Sequence, residues 1–169
     1  MKALLASFLI VLVIICSPGC IPTQSADLTA AQKLVQNERT VKVATGLAVR
    51  AVLLSVDQPK ANGVAAEINR IAKVVEAAST SGAIDLTSIR TLVSTEAAKI
   101  TDARVRMIVS SAVETIIPIV ETQIEARLAA ASENERVAAI RSLVSSAAQG
   151  AIEATEVWMI LSPATTTTK

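Results

Sequence analysis

An all-α fold, an antiparallel helical bundle of four to six helices, is what this sequence predicts, on three observations. Beyond position 28, apolar residues recur at spacings of three and four, the signature of helices with one buried face. The segments are separated by short turn and cap signals at Asp57 to Pro59, Ser79 to Ala83 and Ala131 to Glu133, and short connections put consecutive helices side by side and antiparallel. Finally, past the first twenty residues Trp158 is the only aromatic. The core must therefore be built from Ala, Val, Ile and Leu, small side chains that let helices approach closely.

The first helix opens after Leu28, where Thr29 and Gln32 have the spacing of a capping box. Leu34, Val41, Ala48 and Val52 form its apolar face, Glu38 and Lys42 stand four apart as a surface ion pair, and Gly46 is an internal defect. Asp57-Gln58-Pro59 ends it, because a residue before proline is pushed out of the α region. The second helix has the cleanest seam, Val64, Ile68, Ile71, Val75 and Ala78, with Glu67, Arg70, Lys73 and Glu76 elsewhere on the cylinder.

After the turn Ser79-Thr80-Ser81-Gly82, Asp85 is an N-cap for a shorter helix carrying Leu86, Ile89, Leu92, Val93 and Ile100. Thr101-Asp102 offers the next N-cap and, without a Gly or Pro, is read as a break between two helices, a continuous helix being the alternative. From Ala103, one face holds Val105, Ile108, Val109, Ala112, Ile116, Ile119, Val120, Ile124 and Leu128 and keeps its phase across Pro118, which predicts a helix kinked at the proline rather than ended by it. Ser132 and Glu135 form the strongest capping box in the chain. The last helix has a seam of heptad spacing, Ile140, Val144, Ala147, Ala151, Ala154, Trp158 and Leu161, and stops at Pro163. Ala147, Gly150, Ala151 and Ala154 leave a flat strip on it, where another helix should pack closely. Thr165 to Lys169 reads as a disordered polar tail.

The phrase Arg-x-(Leu/Ile)-Val-Ser-(Ser/Thr) occurs at Arg90, Arg106 and Arg141. Its separations share no period, so it does not mark a solenoid.

The first twenty residues differ from all the rest. Lys2 is followed by the apolar run Ala3 to Cys16 and then by Ser17-Pro18-Gly19-Cys20, the three-part pattern of a secretory signal. With that cysteine at its end, the stretch resembles a bacterial lipoprotein precursor. The resemblance implies a diacylglyceryl thioether on Cys20, cleavage between Gly19 and Cys20, and acylation, palmitate-like, of the new N-terminus. Ser17 and Pro18 depart from the usual aliphatic and small residues of the lipobox. The expected organisation is a signal peptide at 1–19, a tether at 20–27, a helical bundle at 28–162 and a tail at 163–169. Two other readings remain open: cleavage at Ser17 and Gly19 by ordinary signal peptidase, or an uncut single anchor, since ~20 apolar residues can span a bilayer.

Removing Met1 to Gly19 from the 169 residues leaves 150, a one-domain length, with Cys20 as the sole cysteine and hence no intrachain disulfide. Loss of Lys2 leaves fifteen basic and fifteen acidic side chains. That balance offers no electrostatic case for a nucleic acid partner.

Histidine is absent, which excludes His-based triads and the H-E-x-x-H zinc motif. No Ser stands three before a Lys, and the five glycines are too scattered for a phosphate loop. Two carboxylate pairs, Glu121 with Glu125 and Glu153 with Glu156, have spacings that could hold a substrate or cation, against the simpler reading as solvated surface charge. Trp158 is read as core, with its indole N–H finding a partner at the bundle end. No cofactor, metal site or enzymatic activity is expected. The expected function is that of an exported, membrane-tethered lipoprotein; where the host has two membranes, Ile21 in place of an aspartate after Cys20 resembles the lipoprotein family's default signal for outer-membrane sorting. It would serve as a structural or interaction module, with an envelope protein or a second copy as partner. The alternative is a membrane-active helical protein.

Overall fold

The computed structural model describes residues 30–81, 85–128 and 132–162. The chain divides into two units, Met1–Lys33 and Leu34–Lys169, and the bundle described below belongs to the second. The proposed signal, tether and tail, with Gly19, Cys20, Thr29 and Pro163, lie outside the described residues.

Among the described residues there are five helices and no strand: α1 (Ala30–Leu54), α2 (Gln58–Ser81), α3 (Leu86–Ala98), α4 (Ala103–Leu128) and α5 (Glu133–Leu161). The fold is an all-α bundle. The end of α1 and the starts of α2 to α5 each have a local cause. At the end of α1, Ser55 N–H donates to the carbonyls of Ala51 (3.1 Å) and Val52 (3.0 Å), and its hydroxyl donates to Val52 as well (2.7 Å). Pro59 then falls in the first turn of α2, where its missing N–H leaves nothing unsatisfied.

Asp85 caps α3 by accepting from Ser88 N–H at 2.6 Å. Asp102 caps α4 through Arg104 N–H (2.8 Å) and Val105 N–H (3.1 Å), so the break expected at Thr101-Asp102 is present. α4 continues as one helix through Pro118, which is exposed. At the start of α5, Glu135 Oε2 accepts from both the backbone N–H (2.9 Å) and the hydroxyl (2.6 Å) of Ser132.

Side-chain contacts fix the directions. On α2, Asn62 meets Ser162 and Asn69 meets Thr155, so α2 and α5 run antiparallel. On α1, Glu38 accepts from the Ser142 hydroxyl and Lys42 reaches Glu153 at 2.7 Å, so α1 and α5 run parallel. That is the consequence of four chain reversals between them. α3 and α4 pack on α2 and on each other, and α4 also packs on α5. The core is mainly aliphatic, with Val41, Val49, Leu53, Val64, Ala65 and Val109 fully enclosed.

Three expectations need correction. The buried face of α1 runs through Val41, Ala44, Thr45, Val49 and Leu53, whereas Ala48 and Val52 are half-buried. The displacement follows from the approach of α1 to α5 at Gly46, which turns Val49 and Leu53 inward. Glu38 and Lys42 do not pair with each other, because each finds a partner on α5. Lastly, α5 buries more than its heptad seam: Ala139, Leu143, Ala148, Gly150 and Thr155 are also enclosed, while Leu161 is 76% exposed. A helix with α1, α2 and α4 as neighbours has no single buried stripe.

Candidate functional site

The sequence-predicted lipidation residue Cys20 and the cleavage position at Gly19 lie outside the described residues, so the structure's own candidates are found in the bundle. Three groupings stand out: the interhelical ion pairs, a polar ladder between α2 and α5, and a cavity in the aliphatic core.

The carboxylates singled out in the sequence are held by cations from other helices. Glu121 pairs with Arg90 Nη2 at 2.5 Å, across from α3. Glu153 and Glu156, three apart on α5, are drawn to different partners, Lys42 of α1 at 2.7 Å and Lys73 of α2 at 3.3 Å. The side chain of Glu125 lies outside the described residues. Glu153 and Glu156 are not assembled into a two-carboxylate centre, and Glu121, Glu153 and Glu156 each link two helices. As exposed or half-exposed pairs they contribute little stability each.

A tighter charge cluster had no counterpart in the sequence reading. Glu96, only 8% exposed, accepts from Arg70 Nη1 and from Lys99 Nζ, both at 2.5 Å, while Arg70 also donates to Glu67 at 2.9 Å and to the Glu96 carbonyl at 3.0 Å. The hydrogen bond from Lys99, followed by that from Arg70, holds the Glu96 carboxyl below its ordinary pKa. Hydrogen bonds to Glu67 and Glu96 raise that of Arg70. With two cations and two carboxylates the cluster is balanced, and it ties α3 to α2. Among the described residues no group of three or more acidic, Cys or His side chains is placed to hold a metal.

The polar ladder lies between α2 and α5. Asn69 Nδ2 donates to Thr155 Oγ1 at 2.8 Å, and the Thr155 hydroxyl in turn donates to the carbonyls of Ala151 (2.9 Å) and Ile152 (2.8 Å). Seven residues earlier, Asn62 Nδ2 donates to the Ser162 carbonyl at 3.1 Å and its Oδ1 accepts from Trp158 Nε1 at 3.2 Å. Trp158 is half-buried against the core with its N–H satisfied, as its seam position implied. The ladder's signal in the sequence was the heptad separation of Asn62 from Asn69 and of Thr155 from Ser162, polar residues repeating on otherwise apolar helices.

Between the helices lies a cavity of about 90 Å³. Its inner wall is formed by buried residues of α2 and α5 such as Ile68, Ile71, Val144 and Ala148, and its outer wall by α3 and α4. Thr45 of α1 is the one polar residue among those that line it.

No helix among the described residues is long and apolar enough to cross a membrane. No protein-family model, no curated protein and no solved structure matches this chain.

Proposed function

We propose that the protein is an envelope lipoprotein, tethered to a membrane leaflet by acyl chains on Cys20, whose helical bundle serves as a non-enzymatic structural or interaction module. The observation that carries this reading is the N-terminal sequence: a lysine, an apolar run from Ala3 to Cys16, and Gly19-Cys20 at the expected distance. Two or three acyl chains hold a protein on a bilayer where one gives only marginal binding. Retention then needs no spanning helix.

Features of the bundle support a role in contact rather than catalysis. The Arg70–Glu96 pair, the Asn69–Thr155 bond and the Lys42–Glu153 pair are all engaged in joining helices. The parallel course of α1 and α5 brings their last residues to one end of the bundle, where Leu54, Ile160 and Leu161 are three-quarters exposed. Apolar side chains gathered at one end are a feature of surfaces that contact a partner. Metabolic labelling with a radioactive fatty acid tests the reading: the wild-type chain incorporates label, and Cys20→Ala accumulates as an unlabelled precursor that is not matured. Equal maturation of both would overturn it.

A further inference from the structure

We propose that the cavity in the bundle core is a binding site for one straight alkyl chain, the tail of a single-chain amphiphile such as a medium-chain fatty acid, whose polar head stays outside in water. The inference does not depend on lipidation at Cys20. The space is elongated. Lining positions run from Ile68 to Val75 on α2 and from Val144 to Ala151 on α5, about 10 Å along each helix, and from Val109 to Val120 on α4, about 16 Å. α2 and α5 are antiparallel neighbours, so their two stretches lie alongside one another and the space is drawn out along the helices. Between helices packed side by side it is narrow. Such a space admits a chain and refuses a compact cage of similar size.

The walls admit hydrocarbon only. The surface facing the space is almost wholly apolar, and Thr45, the single polar residue of the lining, shows it next to no polar surface. A water inside would lack the two to four polar partners that hold a buried water. About 90 Å³ is room for roughly six to nine water-sized groups, and a methylene is of that size, so the chain it holds is about six to nine carbons long. The space is partly open to solvent, and its half-buried lining residues are Leu86 of α3 with Val113, Ile116 and Ile117 of α4. The mouth thus lies between α3 and α4. A polar head there is in water beside the Arg90–Glu121 ion pair, whose members directly follow the lining residues Ile89 and Val120. The walls are also fixed in place: α2 to α5 by Asn69 and Thr155, α3 to α2 by Arg70 and Glu96, and α3 to α4 by Arg90 and Glu121. Lining side chains held in this way lack contacts across the space, and an alkyl chain supplies them.

The test uses the full chain in phospholipid nanodiscs with Ile, Val and Ala methyls isotopically labelled for NMR. The probes are straight-chain fatty acids from butanoate to dodecanoate, their free concentrations set by parallel titration of empty nanodiscs. Octanoate should move the Ile68, Ile71 and Val109 methyl resonances saturably. Affinity should rise about fourfold per methylene while the chain fills the cavity, and level off beyond about nine carbons, where further methylenes stay outside. Adamantane carboxylate, a compact cage, should leave these resonances unmoved. Ala148→Leu, which fills the space, should abolish the octanoate response; should that variant not fold, the wild-type series decides alone. The proposal is overturned if octanoate gives no saturable shift, or if affinity climbs at an unchanged rate through dodecanoate, as partition onto any apolar surface would. It is equally overturned if adamantane carboxylate binds as well as octanoate, or if folded Ala148→Leu responds like wild type.

Discussion

Gly150 of α5 lies against the backbone of Lys42 on α1: a Cβ added there would fall 3.0 Å from the Lys42 carbonyl carbon and well inside contact distance of its oxygen. Glycine at 150 is thus a condition of the α1–α5 approach. Gly46 faces the same crossing, its notional Cβ 3.3 Å from the Gly150 carbonyl oxygen. Gly63 on α2 has nothing within 4 Å. Three helical glycines therefore predict three outcomes. Gly150→Ala should destabilise the fold by about 1 to 3 kcal/mol through forced separation of backbones. Gly63→Ala should stabilise it by about 0.5 to 1 kcal/mol, because alanine is the better helix former and meets no obstacle. Gly46→Ala should fall between, its helix-propensity gain offset by a tight contact. Chemical denaturation of the three variants checks the order.

The Asn69–Thr155 bond is buried between α2 and α5. Asn69→Ala should cost about 1 to 3 kcal/mol, from the lost bond and the space left behind. Thermal unfolding measures this. A change within experimental error would show that this bond adds nothing to the packing of α2 against α5.

Acid should weaken the bundle in a defined window. Glu96 is held below its ordinary pKa by Lys99 and Arg70. Asp85, Asp102 and Glu135 are held low by the hydrogen bonds of their helix caps, from Ser88, from Val105 and Arg104, and from Ser132 respectively. A carboxylate whose folded pKa is depressed contributes stability above its unfolded value, near 4, and loses it as pH falls through the folded value. The unfolding midpoint should therefore be flat near neutrality and decline below about pH 4. Glu96→Gln should be less stable than wild type at neutral pH, and the difference should shrink in acid. A difference that stays constant from neutral pH to pH 3 would assign the role of Glu96 to packing and not to charge.

How much of this was legible in the sequence divides along physical lines. Caps act within a turn, so Asp85, Asp102 and the Ser132–Glu135 box could be read from spacing alone, and with them the boundaries of α3, α4 and α5. The seam of α2, Val64 to Val75, was equally plain because one stripe faces the core. Tertiary approach was not legible. Gly46 reads as a defect until Gly150 is seen opposite it, and Val49 and Leu53 replace Ala48 and Val52 only because α1 is turned by that crossing. Glu38 and Lys42 satisfy the spacing rule for a helix-surface pair, yet Ser142 and Glu153 outcompete it from across the interface. The unpartnered hydroxyl of Thr45 has no sequence signature at all, since nothing separates it from Thr40 until Thr45 is seen to be buried.

The measurement that bears most directly on the proposed function is the intact mass of the chain extracted from its membrane. The account predicts a polypeptide beginning at Cys20, heavier than its sequence by a diacylglyceryl group and an additional acyl chain. An unmodified chain beginning at Cys20 or Ile21, or one that still begins at Met1, would contradict it.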